Sequence, residues 1–185
     1  MFVGAWIFAV TTFSQAGTGV FCQGEEVDPD FLGNQFDNIL DGTPTKDVMY
    51  GGGGDDYIFG NGGNDVICGN ANNDIIDGGA DNDSINAGTE NDLFVDGSNG
   101  VDEMHGATGR DGLDAGNGND FDVTGDMGDD EIFGGGGTDN IGGEEDDDTL
   151  YGDDGPDDVA RGGGDNGGAG DACQAEREFT CESNP

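Results

Sequence analysis

The sequence predicts an all-β fold, a parallel β-roll (β-solenoid) of nine-residue units closed at its ends by disulfides. Three observations predict it: aspartate recurs at a nearly fixed interval, a large apolar residue follows two places later, and glycine fills much of the remainder. Only 32% of the 185 residues are hydrophobic and 40 are glycine. Composition alone would describe a disordered segment, because so little apolar surface cannot offset the entropy of ordering the chain. The spacing argues for order.

The aspartates stand at 37, 47, 56, 65, 74, 83, 92, 102, 111, 120, 130, 139, 148 and 157. Every step is nine residues except three of ten, at 37–47, 92–102 and 120–130. Two places on come Ile39, Met49, Ile58, Ile67, Ile76, Ile85, Phe94, Met104, Leu113, Asp122, Ile132, Ile141, Leu150 and Val159, of which thirteen are hydrophobic. A triplet centred on that residue reads as a short strand with one side chain facing inward. The six residues before it must reverse the chain, and glycine, asparagine and aspartate adopt the positive φ angles this needs at low cost. Two units complete one coil, so aspartates eighteen apart stack about 4.8 Å from each other. Asp56, Asp74 and Asp92 then line one edge, with Asp65 and Asp83 on the other.

The units GGGGDDYIF (51–59), GNGGNDVIC (60–68), GATGRDGLD (106–114), GGGGTDNIG (134–142) and GDDGPDDVA (152–160) fit the pattern G-G-x-G-x-D-x-U-x, where U is large and apolar. GNANNDIID (69–77), GGADNDSIN (78–86) and AGTENDLFV (87–95) keep the aspartate and the apolar residue. This run, from about residue 32 to 174 and without gaps over 51–95, resembles the RTX (repeats-in-toxin, haemolysin-type) calcium-binding repeats. The resemblance implies a chain that binds several Ca2+ ions, roughly ten. The implied ligands are Asp47, Asp56, Asp65, Asp74, Asp83, Asp92, Asp102, Asp111, Asp120, Asp130, Asp139, Asp148 and Asp157. Turn carbonyls would join them, at Gly52, Gly54, Gly63, Gly79, Gly88, Gly109, Gly116, Gly118, Gly135, Gly137 and Gly155. Electrostatics points the same way. Stacked carboxylates repel, and hard cations with six to eight oxygen ligands remove the repulsion, whereas Mg2+ demands octahedral geometry and keeps its waters.

Charge narrows the partners. With 42 acidic residues against 4 basic, the formal net charge is -38. Nucleic acid needs a basic footprint, and anionic membrane surfaces disfavour such a chain. Multivalent cations are the natural counter-charge.

Residues 32–160 are read as the repeats, 17–31 as an N-terminal cap and 161–185 as a degenerate last repeat with a C-terminal cap. Residues 1–16 read as a cleaved signal peptide. An apolar run at 2–10 is too short to span a bilayer, and Ser14-Gln15-Ala16 offers small residues before a cleavage point. No Lys or Arg precedes Lys46, which leaves a buried N-terminal strand or a truncated reading frame as alternatives. Phe21 before Cys22 argues against a lipid anchor there. Four cysteines allow three pairings. Cys22–Cys68 and Cys173–Cys181 are expected, each tying a loose end to the body. After Val159 the pattern decays, and Cys173 stands at an apolar position. Secretion to the extracellular space follows from the signal and the disulfides.

Two segments break the pattern. AGNGNDFDV (115–123) puts Asp122 where an apolar residue belongs. Over 120–131, Asp120, Asp122, Thr124, Asp126 and Glu131 fall at EF-hand ligand positions with Gly125 at the turn, but the flanks cannot form helices. A chance match, as a chain this rich in Asp and Gly readily gives, a distorted turn that still binds calcium and an EF-hand are all consistent with it. EEDDD (144–148) replaces turn glycines with acid, which makes either a solvated edge or an additional cation site.

No HExxH, GxSxG or Cys-His pairing occurs, and His105, the chain's single histidine, is expected in a surface turn. Only about 15–30 residues lie outside the repeats and signal, too few for a catalytic domain. The expected function is therefore an extracellular structural or adhesive calcium-binding module and not an enzyme. A non-catalytic remnant or partner of an RTX toxin or hydrolase is the alternative. An ice-binding face is disfavoured, because Gly53, Gly62, Ala71, Ala80, Thr89, Ser98, Thr108 and Asn117 are too mixed to match a lattice.

Overall fold

Most aspartate-anchored triplets form a strand with the central side chain buried, and the strands stack in two parallel sheets. The structure, a computed structural model, describes residues 20–153, 158–164 and 172–174. One sheet contains Val48–Gly53, Val66–Ala71, Ser84–Thr89, Glu103–Thr108, Val123–Met127, Asn140–Glu145 and Val159–Gly164, paired in that order. The other contains the three-residue strands Ile39–Asp41, Tyr57–Phe59, Ile75–Asp77, Phe94–Asp96, Gly112–Asp114, Glu131–Phe133, Thr149–Tyr151 and Ala172–Gln174. Successive strands of the chain alternate between the sheets, giving a β-solenoid of about seven coils.

The core is a single file from each sheet. Met49, Ile67, Ile85, Met104, Val123, Ile141 and Ala160 stack on the long-strand side. Leu40, Ile58, Ile76, Val95, Leu113, Ile132, Leu150 and Cys173 stack on the other. Cys173 thus occupies an inward apolar position, as its place in the sequence suggested, and packs partly buried against the core. At the other end, Leu32 pairs with Tyr50, and the half-buried Phe31 packs on the core.

Four expected core residues are replaced by their C-terminal neighbours. Ile39 is 75% exposed while Leu40 is 8% exposed, and Phe94 is 52% exposed while Val95 is 1%. Val123 is buried in place of Asp122, and Ala160 in place of Val159. A one-residue slip turns a strand's side chains to the opposite face; burial of an apolar group decides between Asp122 and Val123, whereas in the other three pairs both residues are apolar. In the units at 87–95 and 115–123 the extra residue lies between the aspartate and the buried apolar residue. These are also the units that begin with alanine, Ala87 and Ala115, both fully buried.

The EF-hand reading is not realised. Val123–Met127 is a strand paired on both sides, so 120–131 does not wrap around one site. His105 lies in the strand Glu103–Thr108 and not in a turn.

The N-terminal segment reaches the solenoid from the side. Phe21–Cys22 and Glu25–Glu26 form a hairpin through Gln23 (φ 48°) and Gly24 (φ 92°). It packs Cys22 and Val27 on the outward residues Val66 and Cys68, beside Val48 and Tyr50. The Cys22–Cys68 disulfide, with Cα atoms 5.8 Å apart, fixes it there. It therefore clamps the outer face of the long-strand sheet, while residues 29–38 cover the first coil. Cys181, the expected partner of Cys173, lies outside the described residues, as do the signal segment and Gly155. No helix among the described residues is long and apolar enough to cross a membrane.

Candidate metal centres

The first residue of each unit faces inward beside the aspartate of the same unit, and glycine there leaves room for a carboxylate. A Cβ on Gly51 would lie 2.5 Å from Oδ2 of Asp56, and one on Gly60 would lie 2.6 Å from Oδ2 of Asp65. The second and fourth residues reverse the chain in the left-handed region, as at Gly52 (φ 105°) and Gly54 (φ 104°). Asn70 and Asn72 take these places in a later unit (φ 81° and 76°), as asparagine can. Glu144 and Asp146 do so in the EEDDD segment (φ 77° and 82°).

The stacked aspartates form two ladders, one per edge. In one, the backbone N–H of Asn38 donates to Oδ1 of Asp56 (2.7 Å), Asp56 to Asp74 (2.8 Å), Asp74 to Asp92 (2.6 Å), Asp92 to Asp111 (2.8 Å), Asp111 to Asp130 (2.8 Å) and Asp130 to Asp148 (2.9 Å). In the other the order is Asp47, Asp65, Asp83, Asp102, Asp120, Asp139 and Asp158, with donor–acceptor distances from 2.7 to 3.0 Å. The structure thus brings together twelve of the thirteen expected aspartates. Asp158 takes the place expected for Asp157, which lies outside the described residues. Asn38 takes the place of Asp37 at the N-terminal end.

Oδ1 is satisfied along both ladders, and Oδ2 of Asp47 accepts the N–H of Thr43 (2.6 Å), but most of the other Oδ2 atoms have no donor. Among the described residues, the Oδ2 atoms of Asp56, Asp65, Asp74, Asp83, Asp92, Asp102, Asp111, Asp120, Asp130, Asp139 and Asp148 are buried without a hydrogen-bond partner. Buried anionic oxygens without donors are costly, and a cation is the partner that would relieve them. Burial is the largest cause raising the pKa of the ten of these from Asp56 to Asp139. The hydrogen bond from the coil before opposes that shift, and neighbouring carboxylates add to it for several of them. Asp65, Asp102, Asp111, Asp120 and Asp139 are pushed up to about 6. Asp74 and Asp83 reach about 7, and Asp92 and Asp130 about 8.

Sequence reasoning missed a second ladder, built by the residue before each aspartate. The N–H of Asn73 donates to Oδ1 of Asp55 (3.2 Å), that of Asn91 to Asn73 (3.0 Å), and that of Arg110 to Asn91 (2.8 Å). Asn64, Asn82 and Asn119 accept in the same way on the other edge. This ladder runs opposite to the aspartate ladder, so adjoining coils are held by side chains reaching both ways. The frequent Asn and Asp at this position were the available signal.

A parallel solenoid with paired carboxylate ladders and tight glycine turns defines a class of cation-binding repeat proteins. A family model for the RTX calcium-binding nonapeptide repeat matches four times, over residues 32–67, 69–94, 96–121 and 124–159, and the chain belongs to that family. No curated protein matches it closely enough to count as a relative.

Among these glycines, Gly69 offers a test of steric fit. A Cβ there would fall 2.4 Å from the backbone oxygen of Ala87 in the next coil and 2.5 Å from Oδ2 of Asp74. The units that do begin with alanine carry an extra residue, which Gly69→Ala would not supply. Overpacking of this kind costs about 1–3 kcal/mol. Gly69→Ala is expected to lower the urea midpoint in calcium and raise the calcium concentration at half-folding. Both midpoints unchanged would show that the carboxylate and the backbone of the next coil both give way at little cost.

Proposed function

We propose that this chain is a secreted calcium-binding β-roll that folds when calcium binds and serves as an extracellular structural or adhesive module. The observation that carries the reading is the row of buried, partnerless Oδ2 atoms along both edges. The residues that would hold the ions are Asp47, Asp56, Asp65, Asp74, Asp83, Asp92, Asp102, Asp111, Asp120, Asp130, Asp139 and Asp148, with Asp158 extending the row. Carbonyls of turn residues such as Gly52, Gly54, Gly109 and Gly116 would complete an all-oxygen shell suited to Ca2+. Calcium would supply the counter-charge, and its binding free energy would be added to the folded state alone. Extracellular calcium makes folding after export the natural sequence of events, with residues 1–16 removed on the way. Its biochemical role would be architectural and not catalytic.

Calorimetric calcium titration with circular dichroism in parallel tests this. A cooperative gain of β-structure with roughly ten ions bound is expected. Spectra that agree in EDTA and in calcium would sink the coupling of folding to metal.

A further inference from the structure

A different kind of ligand group gathers on the outer face of the long-strand sheet. Met104 pairs with Val123 and His105 with Thr124, which sets Glu103 beside Asp122 in the next coil. One ligand atom each from Glu103, His105 and Asp122 lie within 4.8 Å of one another. The chain's single imidazole is held in place from behind. Its Nδ1 is 2.8 Å from Oγ1 of Thr124 and 3.4 Å from Oδ2 of Asp126. Its Nε2 is 3.6 Å from Oε1 of Glu103. Ligands on a tetrahedral zinc, at about 2.0–2.2 Å from the metal, stand about 3.3–3.5 Å apart. A carboxylate on the rear nitrogen is the arrangement that orients metal-bound histidines.

We propose that Glu103, His105 and Asp122 form a site for one borderline divalent cation such as Zn2+, separate from the calcium rows. His105 binds through Nε2, Glu103 and Asp122 bind through carboxylate oxygens, and Asp126 and Thr124 are positioning residues. Imidazole nitrogen selects Zn2+, Ni2+ or Cu2+ over Ca2+, which takes oxygen ligands. Asp122 is exposed, so a fourth ligand position opens to solvent. The looped-out residue in the unit at 115–123 thus gains a use: it lets Asp122 turn outward while Val123 fills the core.

The test is zinc titration of the calcium-loaded full chain at about pH 8, which limits competition from protons for the imidazole. One Zn2+ equivalent is expected to bind in the presence of millimolar calcium. His105→Ala should lower its affinity at least tenfold, and Asp126→Asn about 10–100-fold. Circular dichroism in calcium should be the same for both variants and the parent. The 15N resonances of the single imidazole report without any substitution, and one equivalent of Zn2+ should shift Nε2. Displacement of zinc by calcium, full affinity in His105→Ala, or an unmoved Nε2 resonance would each overturn the assignment.

Discussion

Freed of calcium by chelator, the protein is expected to be unfolded at pH 8 and to gain β-structure as the pH falls towards 4.5. The sign follows from the ladders. An unfolded aspartate titrates near 3.9, whereas nine of the buried carboxylates are pushed up to about 6 to 8 in the folded chain. Between these limits the folded chain holds more protons than the unfolded one, so stability falls as pH rises. The contribution is fully present below about pH 4 and is lost progressively from there to about pH 8, last at Asp92 and Asp130. Neutralisation of the remaining acidic groups, in a chain of net charge -38, acts in the same direction. Protons and calcium would then be alternative ways of silencing the same oxygens, and acid should weaken calcium affinity without unfolding the coil. Circular dichroism against pH in EDTA checks this. A chain that stays unfolded to pH 4.5, or one already folded at pH 8, would show that the carboxylates do not control the fold.

The second large effect separates the two oxygens of one side chain. Oδ1 of Asp92 accepts the backbone N–H of Asp74 at 2.6 Å, and Oδ2 has no partner. Asp92→Ala removes both oxygens and leaves a buried N–H unsatisfied, at a cost of about 1–3 kcal/mol. Asp92→Asn keeps the acceptor and removes the charge. In chelator at about pH 5, where the parent is expected to be folded, Asp92→Ala should lose that stability in urea while Asp92→Asn matches the parent. In calcium at neutral pH both should need about tenfold more calcium to fold, because each lacks an anionic ligand. If Asn and Asp at 92 require the same calcium, Asp92 is not a ligand.

How much of this could be read from the sequence depends on what each feature requires. The two edges and the single-file core follow from a period of nine, because each residue type recurs where its physical demand recurs. The register at 37–40, 92–95, 120–123 and 157–160 does not follow from counting. In these segments two adjacent residues compete for one inward position, and only at Asp122 and Val123 does polarity choose between them; Leu40, Val95 and Ala160 are buried beside equally apolar neighbours. The disulfide partner of Cys22 was legible because only a few pairings existed. The lateral seat of its hairpin was not, since it depends on Val48, Val66, Tyr50 and Cys68 forming an outward apolar patch across two coils. The second side-chain ladder escaped notice because Asn and Asp are common throughout the chain. Its role shows only when residues eighteen apart are brought together.

The two sheets differ in strand length, with mostly six residues in one and three in the other. This difference constrains how such a gene can grow. Duplicating a stretch that encodes eighteen residues adds a whole coil and returns every downstream segment to the sheet it came from. Duplicating nine moves everything downstream across the molecule, so sequences suited to short strands must serve as long ones. The N-terminal hairpin and the histidine cluster would also end on a different side from whatever follows the insertion. Lengthening in whole coils is therefore the route that preserves both faces.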